Sequence, residues 1–135
     1  MTIQIKKVLI IDDDEISNFI TSSILEQSHK VNEMKVVESA DEGISYLNEL
    51  IEEKLELPNL ILLDIKMPVK SGWDFIEDFK KIASNKRKGV RIVMLSSSVY
   101  PDDVYKAKTF KEVSGYVSKP ITSEKLDDII VDYII

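Results

Sequence analysis

Four short apolar runs in this 135-residue chain each end on residues that can do chemistry. Residues 7–11 lead into Asp12, Asp13 and Asp14, and residues 60–63 lead into Asp64. Residues 90–95 lead into Ser96, and residues 115–118 lead into Lys119 and Pro120. If the runs are parallel strands of one sheet, an acidic cluster, a lone carboxylate, a hydroxyl and an ammonium meet at one edge. Crowded carboxylates repel one another unless a cation sits among them, and oxygen ligands that leave room for water suit Mg²⁺. Asp12, Asp13 and Asp64 are therefore the expected Mg²⁺ ligands, directly or through water, with the main-chain carbonyl of Lys66 as a further oxygen donor. Asp64 is the expected nucleophile, attacking phosphorus to form an acyl phosphate. Lys119 would neutralise one phosphoryl oxygen and the Ser96 hydroxyl would donate to another, so that positioning and charge stabilisation supply the catalysis.

Each residue also has a plainer reading. An Asp after a strand is often a helix N-cap, and Asp14 is assigned that role here. Lys-Pro after a strand is often only a turn, and Ser96 with Ser97 and Ser98 could be loop filler. The joint placement at four strand ends favours the chemical reading. His29, the single histidine, falls near the end of the first helix and reads as a solvated terminus. Trp73 reads as packing near the start of the third helix. Val131 and Ile135, beside the apolar stripe of the last helix, read as ordinary surface residues or a dimer contact.

The elements that must position these groups alternate. Strands are expected near residues 4–11, 34–38, 59–63, 90–95 and 115–117. Between them apolar residues recur at helical spacing: Ile16, Phe19, Ile20 and Ile24, then Ile44, Leu47, Ile51 and Leu55, then Phe75, Ile76, Phe79, Ile82 and Ala83. Ser71 and Asp74 predict a capping box at the third helix. Pro101 with Asp102 and Asp103 predicts the start of a fourth. Leu126, Ile129, Ile130, Tyr133 and Ile134 predict the stripe of a fifth. This alternation predicts an α/β domain with a parallel sheet and helices on both faces, a three-layer sandwich. The nearly continuous apolar character of the first, third and fourth runs predicts central strands. Functional groups of such sheets lie beyond the carboxyl ends of the strands.

Bulk properties narrow the function. The length fits a single domain spanning residues 1–135, and the fifth helix is expected to leave no room for an output domain. A net charge of −6 argues against general nucleic-acid binding. The cluster Lys86-Arg87-Lys88 reads as a solvated helix end and loop. Cysteine is absent, which excludes disulfides and thiolate metal sites and fits a cytoplasmic protein. No apolar run approaches the roughly 20 residues needed to span a bilayer, so no membrane association is expected. One histidine and no cysteine rule out ordinary zinc sites.

The motifs resemble those of one known family, the receiver domains of two-component response regulators. "VLIIDDDEISN" is similar to the family's first strand and acidic pair, at Asp12 and Asp13. "LILLDIKMPVKSGWDFIEDF" is similar to the phosphoacceptor strand and the loop after it, with Asp64 as acceptor and Lys66 as carbonyl ligand. "IVMLSSS" carries the switch hydroxyl at Ser96, and "GYVSKPIT" carries the switch aromatic at Tyr116 and the family lysine at Lys119. The resemblance implies a flavodoxin-like (βα)5 fold with strand order 2-1-3-4-5, Mg²⁺ dependence, and a histidine kinase or histidine phosphotransfer protein as phosphoryl donor. It implies no enzymatic turnover beyond self-phosphorylation and self-dephosphorylation. It also implies a switch in which Ser96 and Tyr116 rearrange, so that the face of helix 4, strand 5 and helix 5 engages a downstream protein. A monomer or weak dimer is expected. Ser96 stands where the family more often has threonine. Lys66 and Ser98 occupy positions that, by the resemblance, influence hydrolysis of the acyl phosphate. A pseudo-receiver, a flavin protein and an Asp-nucleophile phosphatase are the competing classes. Three aspartates after the first strand would repel a flavin phosphate, and the phosphatase Asp-x-Asp motif is missing at Asp64.

Overall fold

Apolar runs become strands and the polar residues that follow them start helices. A computed structural model of the chain describes residues 3–97 and 101–135. The elements are β1 (Ile5–Ile11), α1 (Glu15–Ser28), β2 (Val31–Val37), α2 (Ala40–Glu52), β3 (Leu60–Asp64), α3 (Gly72–Phe79), β4 (Arg91–Ser96), α4 (Pro101–Thr109), β5 (Val113–Ser118) and α5 (Ser123–Ile129). A π-helical segment, Ile130–Ile134, continues α5. All strand pairs are parallel, in the order β2-β1-β3-β4-β5. This is the expected flavodoxin-like (βα)5 sandwich.

Side chains alternate across a strand, so each strand feeds two cores. Leu9, Ile11, Ile61, Leu63 and Met94 pack with Leu47, Phe75 and Phe79 on the α2–α3 side. Ile10, Leu60, Leu62 and Leu95 pack with Leu25, Leu126 and Ile129 on the α1–α5 side. Every residue of β3 is buried, as a strand covered on both faces requires. The edge strands differ. In β2 only Val37 is buried, and β5 is half-buried throughout. Both run longer than their apolar residues suggest: Glu33 pairs with Lys7 although its side chain faces solvent, and β5 starts at Val113 opposite Ile92, before the register shifts between Ile92 and Val93.

Three helical expectations need correction. In α1, Ile16 and Phe19 are 73% exposed and Ile20 is 38% exposed. The inward positions are Asn18, Thr21 and Leu25, set by the N-cap at Asp14, whose side chain accepts from the backbone of Ile16 and Ser17. Asn18 fits inward because its side chain donates to the Asp12 carbonyl there. The α2 helix stops at Glu52, which leaves Leu55 outside it and exposed. The α3 helix stops at Phe79, although Ile82 still reaches the core from the following turn. Its start matches the predicted capping box of Ser71 and Asp74, and Pro101 opens α4 as expected.

Trp73 packs as expected, stacked on Phe110 with ring centroids 5.7 Å apart and the Lys106 ammonium 5.1 Å from its ring. His29 caps the end of α1 in the left-handed region and is exposed. Lys86 and Lys88 line an open concavity of about 790 Å³ with Lys6 and Lys54. Arg87 differs from its neighbours: its Nε donates to the Ile82 carbonyl at 3.0 Å and its guanidinium lies 3.6 Å from Glu112. Among the described residues no helix is long and apolar enough to cross a membrane.

A carboxylate site at the strand ends

Because the strands are parallel, their carboxyl ends share one edge, and the backbone locks them in register. The Asp12 amide donates to the Val37 carbonyl at 3.1 Å, the Ile65 amide to Leu95 at 3.3 Å, and the Lys119 amide to Ser96 at 2.8 Å. Asp12 thus follows β1, Asp64 closes β3, Ser96 closes β4, and Lys119 follows β5. Gly72 lets α3 begin against the end of β3: a side chain there would collide with the Asp64 carbonyl. The Lys119–Pro120 peptide is cis.

Asp12, Asp13 and Asp64 bring one carboxylate oxygen each to within 4.8 Å of one another. Asp12 is 1% exposed and Asp64 is 6% exposed, while Asp13 faces solvent. Lys119 bridges the buried pair, its Nζ lying 2.6 Å from Asp12 Oδ2 and 3.3 Å from Asp64 Oδ1. A cleft of about 390 Å³ opens above them, lined by Asp13, Asp14, Asp64, Lys66, Ser96, Ser97 and Lys119. All the expected site residues therefore converge except Tyr116, which lies on β5 and packs half-buried against the α2–α3 core. Ser98 lies outside the described residues.

The electrostatics follow from burial and crowding. Burial and the neighbouring Asp12 charge push Asp64 up to about 6, against the opposing pull of Lys119. Burial disfavours the Lys119 charge, but the hydrogen bond to Asp12 and the attraction of Asp64 outweigh it, so Lys119 stays above the usual lysine range. One ammonium does not neutralise three carboxylates. The surplus negative charge, the all-oxygen donor set and an exposed Asp13 fit a hard divalent cation, and Lys66 lines the cleft beside them.

Two contributors were not evident in the sequence. Ser17 Oγ donates to Asp12 Oδ2 at 2.8 Å, and Asn18 Nδ2 donates to the Asp12 carbonyl at 2.8 Å. Counting helical phase from the Asp14 cap would have turned both toward Asp12. The apolar residues around them drew the stripe elsewhere.

A five-stranded parallel α/β sandwich with buried carboxylates and a lysine at its strand ends is a phosphoacceptor architecture. The chain belongs to the response regulator receiver domain family, whose sequence pattern matches residues 8–131. It is 38% identical to a two-component response regulator from Cytophaga hutchinsonii, with a TM-score of 0.86 over 93% of each chain. It is 27% identical to the chemotaxis protein CheY of Halobacterium salinarum, covering 94% of this chain and 95% of that one. The Mn²⁺-bound response regulator Rcp1 superposes with a TM-score of 0.71 at 25% identity, covering 93% of this chain and 88% of that one. The protein is thus a phosphorelay signalling domain, and its chemistry is the gain and loss of a phosphoryl group on itself.

Proposed function

We propose that Asp64 accepts the phosphoryl group from a phosphohistidine of a histidine kinase or phosphotransfer protein, in a Mg²⁺-dependent step. An Asp64 carboxylate oxygen forms the new bond to phosphorus as the P–N bond of the donor breaks, and the imidazole nitrogen leaves with the electron pair. Asp12, Asp13, Asp64 and the Lys66 carbonyl would hold Mg²⁺, which when bound offsets the charge of the approaching phosphoryl oxygens. Lys119 turns from the carboxylate pair to one phosphoryl oxygen, and Ser96 donates to another. Tyr116 follows Ser96, and the α4–β5–α5 face then engages a downstream protein. A cytoplasmic location goes with this reading, since kinase and cation meet the domain there.

The observation that carries the reading is the Lys119 bridge between Asp12 and Asp64 at the end of β3. It supports the reading because the Asp64 carboxylate, the acidic cluster and the Lys119 ammonium then meet at one strand edge. The exposed Ile16, Phe19 and Ile20 on α1 offer the donor an apolar footing beside the cleft. The test is incubation with acetyl phosphate and Mg²⁺, followed by intact mass. One added phosphoryl group is expected, lost with EDTA and lost in Asp64→Asn. A gain that persists in Asp64→Asn would move the acceptor elsewhere.

A further inference from the structure

We propose that Ser17 and Asn18, on the first turn of α1, are positioning residues that hold Asp12 in the orientation a divalent cation needs. This rests on the reading of the carboxylate site given above. Asp12 is fully buried and its acceptors are engaged from several directions. Its Oδ1 accepts from the Asp14 amide at 3.0 Å. Its Oδ2 accepts from Ser17 Oγ at 2.8 Å and from Lys119 Nζ at 2.6 Å. Its carbonyl accepts from Asn18 Nδ2 at 2.8 Å.

These donors are not equivalent. Lys119 is a long flexible chain already shared with Asp64, and it must leave Asp12 Oδ2 to meet a phosphoryl oxygen. Ser17 and Asn18 have short side chains on a helix whose first turn is pinned by the Asp14 cap. When Lys119 turns away, they still grip Asp12 at both ends, one at the carboxylate and one at the main chain. Asn18 is 92% buried, and its Oδ1 accepts from no protein group. A residue chosen only to fill space beside β1 would bring no such orphan acceptor. Outer-shell donors that orient a metal-ligating carboxylate are worth about 10–100-fold in metal affinity.

The experiment is Mg²⁺ titration of the full chain by calorimetry, with acetyl phosphate labelling of Asp64 measured across Mg²⁺ concentrations. Ser17→Ala and Asn18→Ala are each expected to weaken Mg²⁺ binding by about tenfold, and saturating Mg²⁺ should restore the labelling rate. Ser17→Thr, which keeps the hydroxyl, should bind as the parent does. Ser17 is only half-buried, so its alanine variant keeps the test open if Asn18→Ala unfolds. A purely structural role would lower the melting temperature in EDTA and leave the Mg²⁺ affinity unchanged. Parental affinity in Ser17→Ala, or a labelling defect that saturating Mg²⁺ does not repair, would overturn the assignment. Absence of Mg²⁺ binding in the unsubstituted chain would overturn the underlying site reading instead, and the assignment with it.

Discussion

At the scale of single residues, the site works against the stability of the fold until its charge is met. Asp64 titrates at about 6 in the folded chain against 3.8 for the ordinary carboxyl. The folded state therefore binds more protons than the unfolded state across that interval. The contribution of this group is fully present below pH 3.8 and is lost as pH rises through 6. In metal-free buffer at pH 7.5, Asp64→Asn should raise stability by about 1–2 kcal/mol after discounting for solvent screening. That is on the order of 3–6 °C in melting temperature for a chain this size. The two melting curves should converge near pH 4, and Mg²⁺ should stabilise only the parent. A pH-independent difference would mean that burial and crowding at Asp64 are not the cause. Lys119→Met should act in the opposite direction. It strands the buried Asp12 carboxylate and should cost about 3 kcal/mol in urea unfolding at pH 7, with Mg²⁺ recovering part of the loss.

At the scale of elements, legibility depended on burial. The runs that became β1, β3 and β4 are apolar on both faces, so their positions and the polar residues at their ends could be read directly. The edge strands carry polar residues on one side, and composition alone placed β2 three residues late. The phase of the first turns of α1 is not legible because Ile16, Phe19 and Ile20 serve the surface, while the inward positions there hold Asn18 and Thr21. Close packing was invisible as well, since a glycine in sequence does not say what covers it. Gly115 on β5 is an example: a methyl group there would overlap the ring of Tyr133, which the π-helical segment carries over the strand. Gly115→Ala should therefore destabilise by about 1–3 kcal/mol. The same change in a Tyr133→Ala background should cost markedly less, giving a coupling of similar size in a double-mutant cycle. Additive losses in denaturant unfolding would show that the strand and the segment do not share this contact.

At the scale of the whole molecule, the site and the surfaces that serve it occupy different places, which makes their roles separable. The cleft lies at the carboxyl edge of the sheet. The α4–β5–α5 face lies at the β5 edge, whereas α1 packs beside β2 and α5 and turns Ile16, Phe19 and Ile20 outward. A small phosphodonor needs only the cleft, but a phosphoprotein must also seat its own surface beside it. Phe19→Asp replaces an apolar side chain that is 73% exposed, so stability should change by no more than about 0.5 kcal/mol. Labelling by acetyl phosphate should match the parent, because Asp12, Asp13, Asp64 and Lys119 are untouched. Transfer from a phosphorylated histidine donor should fall by about 30-fold in kcat/KM, the size of one interface hot spot of about 2 kcal/mol. Once labelled by acetyl phosphate, the variant should still bind any target that recognises the α4–β5–α5 face, since Phe19 is not part of it. Equal losses with both donors would place Phe19 in the chemistry rather than the docking. Full transfer from the protein donor would mean that the donor reaches Asp64 without resting on α1.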